Sequence, residues 1–149
     1  MVEMTTEDMA AAKQRQFDTS YLKMARIWGQ NSYCKRRQVG ALLVKDRVII
    51  SDGYNGTPSG FENCCEDEAY KTKPYVLHAE ANAITKVAKS NNSSAGATLY
   101  ITSAPCMECA KLIIQAGVRR VVFAEHYHSA DGVALLERAG IAVEQISID

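Results

Sequence analysis

The chain has 149 residues, of which 47% are hydrophobic and 23% are charged, and its 17 Lys and Arg balance 17 Asp and Glu. This size and composition predict one folded domain over residues 1–149 rather than a disordered chain. Zero net charge argues against a protein that coats nucleic acid irrespective of sequence. No apolar run approaches the roughly 20 residues of a membrane span, and residues 1–16 form a polar N-terminal extension without the apolar segment of a signal peptide. We therefore expect a cytoplasmic protein with no membrane or nucleic-acid partner.

The first part of the chain predicts a helix, a hairpin and a loop, in that order. Apolar residues recur at helical spacing from Phe17 to Trp28, and Asp18 or Thr19 is the expected cap of that helix. Two β-branched and aliphatic runs separated by Lys45-Asp46 predict the hairpin, and a stretch dense in Gly, Asn, Pro and Ser predicts the loop. The two strands and the loop are expected at residues 38–44, 47–51 and 53–60.

The rest of the chain predicts three further helices, each followed by a strand. Gly117 and Gly140 are expected to end the second and third of these helices. The helices are expected at residues 79–89, 107–116 and 130–139, and the strands at residues 97–101, 118–124 and 141–148. Strands joined by helical crossovers should be parallel, whereas the opening hairpin is antiparallel. The predicted fold is therefore α/β, with a mixed five-stranded sheet in a three-layer α/β/α domain.

The chain contains five cysteines: Cys34, Cys64, Cys65, Cys106 and Cys109. An odd number without a secretory signal indicates a reducing compartment, where thiols bind metals or perform chemistry. The C-x-x-C pair formed by Cys106 and Cys109 is either a redox dithiol or half of a zinc site. We expect the other three to be reduced structural thiols.

A second motif favours the zinc interpretation of the C-x-x-C pair. His78-Ala79-Glu80 and Pro105-Cys106 both lie where a loop is expected to enter a helix. One imidazole and two thiolates, from His78, Cys106 and Cys109, would supply three ligands of a tetrahedral zinc and leave the fourth position for water, as in catalytic sites. Glu80 would then be a proton carrier beside the metal rather than a ligand. A redox dithiol would leave His78 and Glu80 without a function.

The order H-x-E…P-C-x-x-C is the signature of zinc-dependent nucleobase deaminases. Two other segments, SYCKRRQVGA at residues 32–41 and GYNGTPSG at residues 53–60, are typical of one branch of these enzymes. From about Phe17 to its end, the chain resembles the deoxycytidylate (dCMP) deaminase branch of the cytidine deaminase superfamily. The resemblance implies a cytidine-deaminase-like fold, one catalytic zinc, and hydrolytic deamination of dCMP to dUMP with release of ammonia, which supplies thymidylate synthesis.

The resemblance also implies which residues contact the nucleotide. Asn55 would hydrogen-bond it, the backbone N–H of Ala79 would meet the pyrimidine carbonyl, and Arg36 would bind the 5′-phosphate. An arginine suits this last position because its guanidinium fork matches phosphate oxygens. Two alternatives stay open: residues 35–37 could be an ordinary solvated basic cluster, and Asn55 could be a turn residue chosen for its backbone tolerance.

Three further positions are implied after the third and fourth strands. Ser103 and Ala104 would line the side from which ammonia leaves, through their backbone groups. Tyr127 would border the phosphate pocket, although a half-buried aromatic residue at a strand end is the simpler interpretation.

Other features of the family need not extend to this chain. Some phage members hold a second, structural zinc through cysteines that match Cys34 and Cys64, but its remaining ligands have no counterpart here, and Val76 stands where a carboxylate would be. Many members are homo-oligomers, either dimers or hexamers, that dCTP activates and dTTP inhibits. The effector usually binds as a Mg²⁺-bound nucleotide at a subunit interface near the loop at residues 53–60.

Two other kinds of function compete with dCMP deamination. The zinc motif alone does not distinguish another zinc-dependent nucleoside, nucleotide or tRNA base deaminase, because the pocket walls set substrate choice. Zero net charge disfavours a tRNA substrate, and a free nucleoside would have no use for Arg36. A non-catalytic zinc-containing nucleotide-binding protein is the second alternative, but such a protein would not need Glu80.

Overall fold

The structure, a computed structural model, describes residues 3–149. Within this range the helices and strands follow in the predicted order. They are α1 (Thr6–Gly29), β1 (Gly40–Lys45), β2 (Val48–Tyr54), α2 (Ala79–Ala88), β3 (Thr98–Ser103), α3 (Met107–Gln115), β4 (Arg120–Glu125), α4 (Asp131–Arg138) and β5 (Ala142–Gln145). None of the helices in the described part of the chain has the length and apolar character needed to cross a membrane.

The five strands form one mixed sheet in the order β2-β1-β3-β4-β5. Strand β1 is antiparallel to both β2 and β3, whereas β3, β4 and β5 are parallel. Helix α1 packs Leu22 against Tyr100 and Val122 on one face, and helices α2, α3 and α4 pack against residues such as Leu43 and Ile101 on the other. The predicted three-layer α/β/α architecture with a mixed five-stranded sheet is confirmed.

Helix α1 begins well before the predicted apolar stripe. Its N-terminal cap is Thr5, whose hydroxyl accepts a hydrogen bond from the Asp8 N–H while the Asp8 carboxylate accepts one from the Thr5 N–H. Residues 6–16, expected as part of a polar extension, are the exposed first turns of this helix. Met1 and Val2 of that extension lie outside the described residues.

The prediction that Asp18 or Thr19 caps this helix is wrong, because both lie in its interior. The Thr19 hydroxyl donates to the carbonyl of Arg15, and Asp18 is only 2% exposed. The Asp18 carboxylate accepts hydrogen bonds of 2.9 and 2.7 Å from the Arg120 guanidinium and one of 2.6 Å from the Tyr100 hydroxyl. Burial raises the pKa of Asp18, but these hydrogen bonds outweigh it and hold the pKa below its usual value.

The hairpin turn lies one residue later than predicted. Asp46 and Arg47 both have positive φ, 50° and 61°, as the two central residues of a type I′ turn require. Strand β2 continues to Tyr54, so the predicted loop loses its first two residues to the sheet. Gly53 is needed there because a Cβ atom would overlap the carbonyl oxygen of Ala79. The lack of a Cβ atom at Gly53 lets α2 lie directly against β2.

Gly117 and Gly140 end their helices as predicted. Both have left-handed φ values, 78° and 83°, and each follows the C-cap residue of its helix, which is the usual position of glycine in a helix C-terminal motif. The last strand is shorter than expected and ends at Gln145.

Candidate active site

A cavity of about 340 Å³ opens at the sheet edge where β1 begins and β2, β3 and β4 end. In open α/β sheets this kind of edge, beyond the carboxyl ends of parallel strands, is the usual place for a ligand. Every predicted site residue except Cys109 lines the cavity. The lining residues that were predicted are Arg36, Asn55, His78, Ala79, Glu80, Ser103, Ala104, Cys106 and Tyr127.

The predicted metal ligands converge at the starts of two helices. His78 is the N-cap residue of α2 and Cys106 that of α3, and neither side chain caps its own helix. The Nδ1 atom of His78 lies 3.5 Å from the Cys106 Sγ and 3.3 Å from the Cys109 Sγ. A tetrahedral zinc with bonds of about 2.1 Å to nitrogen and about 2.3 Å to sulfur holds such atoms about 3.6 Å apart. The donor set therefore fits one zinc ion.

The protonation chemistry of these side chains also fits a cation. Partial burial of its ring lowers the pKa of His78 and favours the neutral imidazole that binds metals. Burial, together with the neighbouring Glu80 and Cys106, raises the pKa of the Cys109 thiol. A thiolate at this position therefore needs a positive charge beside it, and a zinc ion provides that charge.

Glu80 is the second residue of α2 and is 3% exposed. Burial raises the pKa of its carboxyl to about 7. A buried carboxyl with such a pKa exchanges protons readily near neutral pH, as a general acid–base group must.

Helix α4 fixes the loop that carries Cys106. Gly132, in its first turn, lies so close to this loop that a Cβ atom would stand 2.8 Å from the carbonyl carbon of Cys106. Sequence reasoning missed this glycine because it lies in the interior of a predicted helix, where glycine usually only weakens the prediction.

Asn55 joins two segments of the cavity wall. Its Oδ1 accepts a 2.9 Å hydrogen bond from the Val39 N–H, and its Nδ2 donates one of 2.8 Å to the Arg37 carbonyl. It is not among the described residues with positive φ, so the alternative that it serves for backbone tolerance is not supported. The amide keeps one hydrogen and one lone pair for a ligand.

Two neighbouring arginines line the cavity. Arg37 lies 3.5 Å from the Glu125 carboxylate. Arg36 is exposed, and among residues 3–149 it forms no ion pair. Its guanidinium is thus available to an anion from solution. Arg37 was not predicted as a lining residue, although it belongs to the same basic cluster.

Ser103, Ala104 and Tyr127 lie where the third and fourth strands end. Ser103 is the last residue of β3, and the N–H of Ala104 donates a 2.8 Å hydrogen bond to the Glu125 carbonyl. The Tyr127 ring is half-buried with its centroid 3.9 Å from that of His128, and burial raises the pKa of its hydroxyl.

The cysteines outside the metal cluster differ from the prediction. Cys34 and Cys65 form a disulfide, with their Cα atoms 5.0 Å apart, and Cys64 is a free, exposed thiol. The prediction that all three are reduced is wrong for this pair, because the fold brings the first and third within bridging distance. The bridged sulfurs and Glu66 lie within 4.8 Å of one another, but a disulfide has no thiolate to bind a second zinc.

A second cavity of about 170 Å³ lies on the other side of Asn55 and is lined mainly by the loop that follows β2. Its walls include Tyr33, Tyr54 and residues 55–61, and Cys65 closes it on the side of the disulfide. Asn55, in the loop predicted from the GYNG segment, lines both cavities.

Comparison with known proteins agrees with this geometry. Residues 15–125 match the cytidine and deoxycytidylate deaminase zinc-binding region. ComE operon protein 2 of Bacillus subtilis is 35% identical over 133 residues, which are 87% of this chain and 70% of that protein. The deoxycytidylate deaminase of Saccharomyces cerevisiae is 32% identical over 95% of this chain, and the chain spans 48% of that protein's length.

A solved structure is also similar. The dCMP deaminase of cyanophage S-TIM5, crystallised with dCMP and dUMP, superimposes with a TM-score of 0.83 at 44% identity, over 97% of this chain and all of that one. Together with the family match over most of the sequence, this shows that the chain belongs to the cytidine and deoxycytidylate deaminase family.

Proposed function

We propose that this protein catalyses the zinc-dependent hydrolytic deamination of dCMP to dUMP, with release of ammonia, and so supplies thymidylate synthesis. The observation that carries the proposal is the position of Glu80, a buried carboxyl beside a three-ligand zinc cluster in a cavity that also contains a free arginine. A purely structural zinc site would need no such carboxyl. The 44% identical cyanophage dCMP deaminase supports the choice of substrate.

In this mechanism His78, Cys106 and Cys109 hold the zinc. When bound, zinc supplies Lewis acidity that lowers the pKa of a water molecule to about 7. Glu80 takes a proton from the attacking water and delivers it to N3 of the cytosine ring. It then passes the remaining water proton to the amino group at C4, which leaves as ammonia when the C4–N bond breaks.

The cavity walls orient the nucleotide. The N–H of Ala79 lies in the first turn of α2, where N–H groups have no partner within the helix, and it meets the pyrimidine carbonyl. Asn55 hydrogen-bonds the nucleotide with its remaining donor and acceptor, and Arg36 binds the 5′-phosphate as a charge-assisted contact. The carbonyls of Ser103 and Ala104 accept hydrogen bonds from the departing ammonia, and Tyr127 borders the phosphate side.

Regulation and assembly follow from the same family resemblance. We infer that dCTP and dTTP act as effectors, bound with Mg²⁺ in the second cavity, and that the protein works as a cytoplasmic homo-oligomer. The 170 Å³ cavity supports the binding of an effector, because Asn55 lines both this cavity and the first one and so connects the two. Activity that changes with neither effector in the presence of Mg²⁺ would show an unregulated enzyme.

A substrate panel tests the proposed function. Ammonia release is measured from dCMP, CMP, deoxycytidine and dCTP under the same conditions. We expect dCMP to have a higher kcat/KM than deoxycytidine and dCTP, because of these three only the monophosphate places a compact dianion at Arg36. The comparison with CMP tests whether the cavity also selects the deoxyribose. Equal turnover of deoxycytidine would contradict phosphate recognition, and no release from any of the four would favour the non-catalytic alternative.

A further inference from the structure

The Cys34–Cys65 disulfide joins two segments of the chain beside the candidate active site. Cys34 lies two residues before Arg36, the proposed phosphate ligand, and lines the 340 Å³ cavity. Cys65 lies 31 residues further along the chain and lines the 170 Å³ cavity. The bridge therefore ties the segment that carries Arg36 to the loop beside the second cavity.

Apart from this covalent bridge, hydrogen bonds hold the segment in place. The backbone N–H groups of Lys35 and Arg36 donate to Glu66 Oε2 at 3.0 and 3.2 Å, and the N–H of Cys34 donates to the Ser32 hydroxyl at 3.1 Å. Arg36 itself is exposed. A short exposed segment gains conformational freedom when a cross-link opens, and binding a ligand must then order it again.

The side chain of Glu66 gives a physical reason for the bridge to open. It is 7% exposed, and one of its carboxylate oxygens lies within 4.8 Å of both sulfurs. Its Oε1 is buried and has no hydrogen-bond partner among residues 3–149. A disulfide has no hydrogen to donate, so this oxygen stays unsatisfied while the bridge is closed, which is unfavourable. Reduction creates two S–H groups, which are weak donors, and so the carboxylate favours the dithiol.

We propose that Cys34–Cys65 is a redox-active disulfide whose dithiol form is stabilised by a hydrogen bond from one thiol to Glu66 and binds the substrate phosphate more weakly. A small thiol reductant approaches from the cavities that the two cysteines line. Its thiolate attacks one sulfur, forms a mixed disulfide and releases the other sulfur as a thiol. A second reductant molecule attacks the reductant's sulfur in the mixed disulfide. The oxidised reductant leaves, and the protein has gained two electrons and two protons.

The first test measures the redox equilibrium without turnover. Zinc-loaded protein is equilibrated with graded ratios of reduced to oxidised glutathione and alkylated, and peptide mass spectrometry counts the free thiols at Cys34 and Cys65. We expect Glu66→Gln to need about 3- to 10-fold more reducing conditions than the wild type to open the bridge, because glutamine offers the thiol no charged acceptor. Glu68→Gln changes an exposed carboxylate two residues away and should match the wild type.

Two results of this titration would overturn the proposal. One is a bridge that stays closed at every ratio. The other is the same equilibrium in the wild type and in Glu66→Gln, which would show that the carboxylate does not stabilise the dithiol.

The second test, which rests on the proposed function, measures what opening does to substrate binding. Reduction should raise the KM of the wild type for dCMP by about 3- to 10-fold and leave kcat nearly unchanged, because the substrate must order the freed segment around Arg36. Deoxycytidine has no phosphate and should show the same kcat/KM in both states. Cys64→Ser changes a free thiol outside the bridge and should behave like the wild type, whereas Cys65→Ser should show the higher KM at every ratio.

The wild-type comparison decides the question even if Glu66→Gln does not fold. An equal KM for dCMP in both states would overturn the proposal and leave deamination intact. Zinc content should stay at one equivalent in both states, and a second equivalent in the reduced protein would contradict the role of Glu66, because thiolates that bind zinc have no hydrogen to donate. No ammonia from dCMP in either state would overturn the proposed function, and the glutathione titration would still decide whether Glu66 stabilises the dithiol.

Discussion

Asp18 and Glu80 are both buried carboxyl groups, but they lie in clusters on opposite faces of the sheet with opposite properties. Asp18, on the buried face of α1, accepts hydrogen bonds from Arg120, Tyr100 and Gln14, which hold its pKa low. Glu80, on the buried face of α2, has no cationic side chain as a partner among the described residues, and burial raises its pKa to about 7. Burial with partners gives a fixed charge that stabilises the fold, whereas burial without them leaves a group that can exchange protons.

The sharpest test of this contrast is Glu80→Gln. Removing the general acid–base group should lower kcat by about 10²- to 10⁴-fold, while the protein still binds dCMP and one equivalent of zinc. Ammonia release gives kcat, elemental analysis gives the metal content and calorimetry gives the nucleotide affinity. Glu108→Gln, which changes an exposed carboxylate in the first turn of α3, should retain normal turnover. Near-normal turnover of Glu80→Gln would show that Glu80 is not the general acid–base group.

Removing the metal should have an effect of similar size. We expect His78→Ala to lose zinc, because two thiolates alone do not complete the three-ligand site. Turnover should be lost with it. Zinc content and ammonia release are measured on the same sample, and His126→Ala serves as control, since this exposed imidazole packs against Phe123 outside the cluster. Full zinc content in His78→Ala would mean that other residues bind the metal.

A substitution in the Asp18 cluster should lower the free energy of unfolding and leave turnover unchanged. Asp18→Asn leaves the half-buried Arg120 with only Glu144 as a counter-ion, and the loss of the charge-assisted hydrogen bonds to Asp18 should cost about 1.5–3 kcal/mol of unfolding free energy. Urea denaturation measures the loss, and Glu137→Gln, an exposed change on α4, should be neutral. The kcat of the folded variant should match that of the wild type. A loss below about 1 kcal/mol would show that the cluster contributes little.

The same cluster predicts the pH dependence of stability. The pKa of Asp18 is lower in the folded protein than in the unfolded chain. Its contribution is therefore complete above the unfolded pKa of about 3.9 and is lost as pH falls through the folded pKa. Urea denaturation at pH 3 and pH 6 should show a larger loss on acidification in the wild type than in Asp18→Asn, and equal losses would contradict the assignment.

The zinc cluster was predictable and the Asp18 cluster was not, for a physical reason. His78, Glu80, Cys106 and Cys109 occupy fixed short spacings at two helix starts, because metal ligation constrains local geometry. Asp18 meets Arg120 across 102 residues of chain, and no local pattern records such a pairing. The same holds for the Cys34–Cys65 disulfide, whose connectivity cannot be deduced from cysteine spacing.

Within the fold, apolar periodicity predicted the buried strands and helices, and glycines predicted two helix ends, but the N-terminal cap of α1 was missed. The strands and their order followed from apolar runs, whereas the start of α1 did not, because residues 6–16 carry no apolar stripe and only the Thr5–Asp8 capping box marks it. Glu66 lies in an acidic segment, residues 62–68, where sequence alone gives no reason to prefer one carboxylate over another.

Unlike Asp18 and Glu80, Arg36 is an exposed charged residue. Its substitution should have the smallest effect of those considered. Its guanidinium contacts the phosphate equally in the ground and transition states, so Arg36→Ala should raise the KM for dCMP by about 10-fold or more and leave kcat nearly unchanged. Lys35→Ala changes a neighbouring exposed cation that does not line the cavity and should have little effect. Because deoxycytidine has no phosphate, its kcat/KM should be the same for the wild type and Arg36→Ala. An unchanged KM for dCMP would indicate that Arg37 binds the phosphate instead of Arg36. The Arg37 guanidinium would then have to break its ion pair with Glu125.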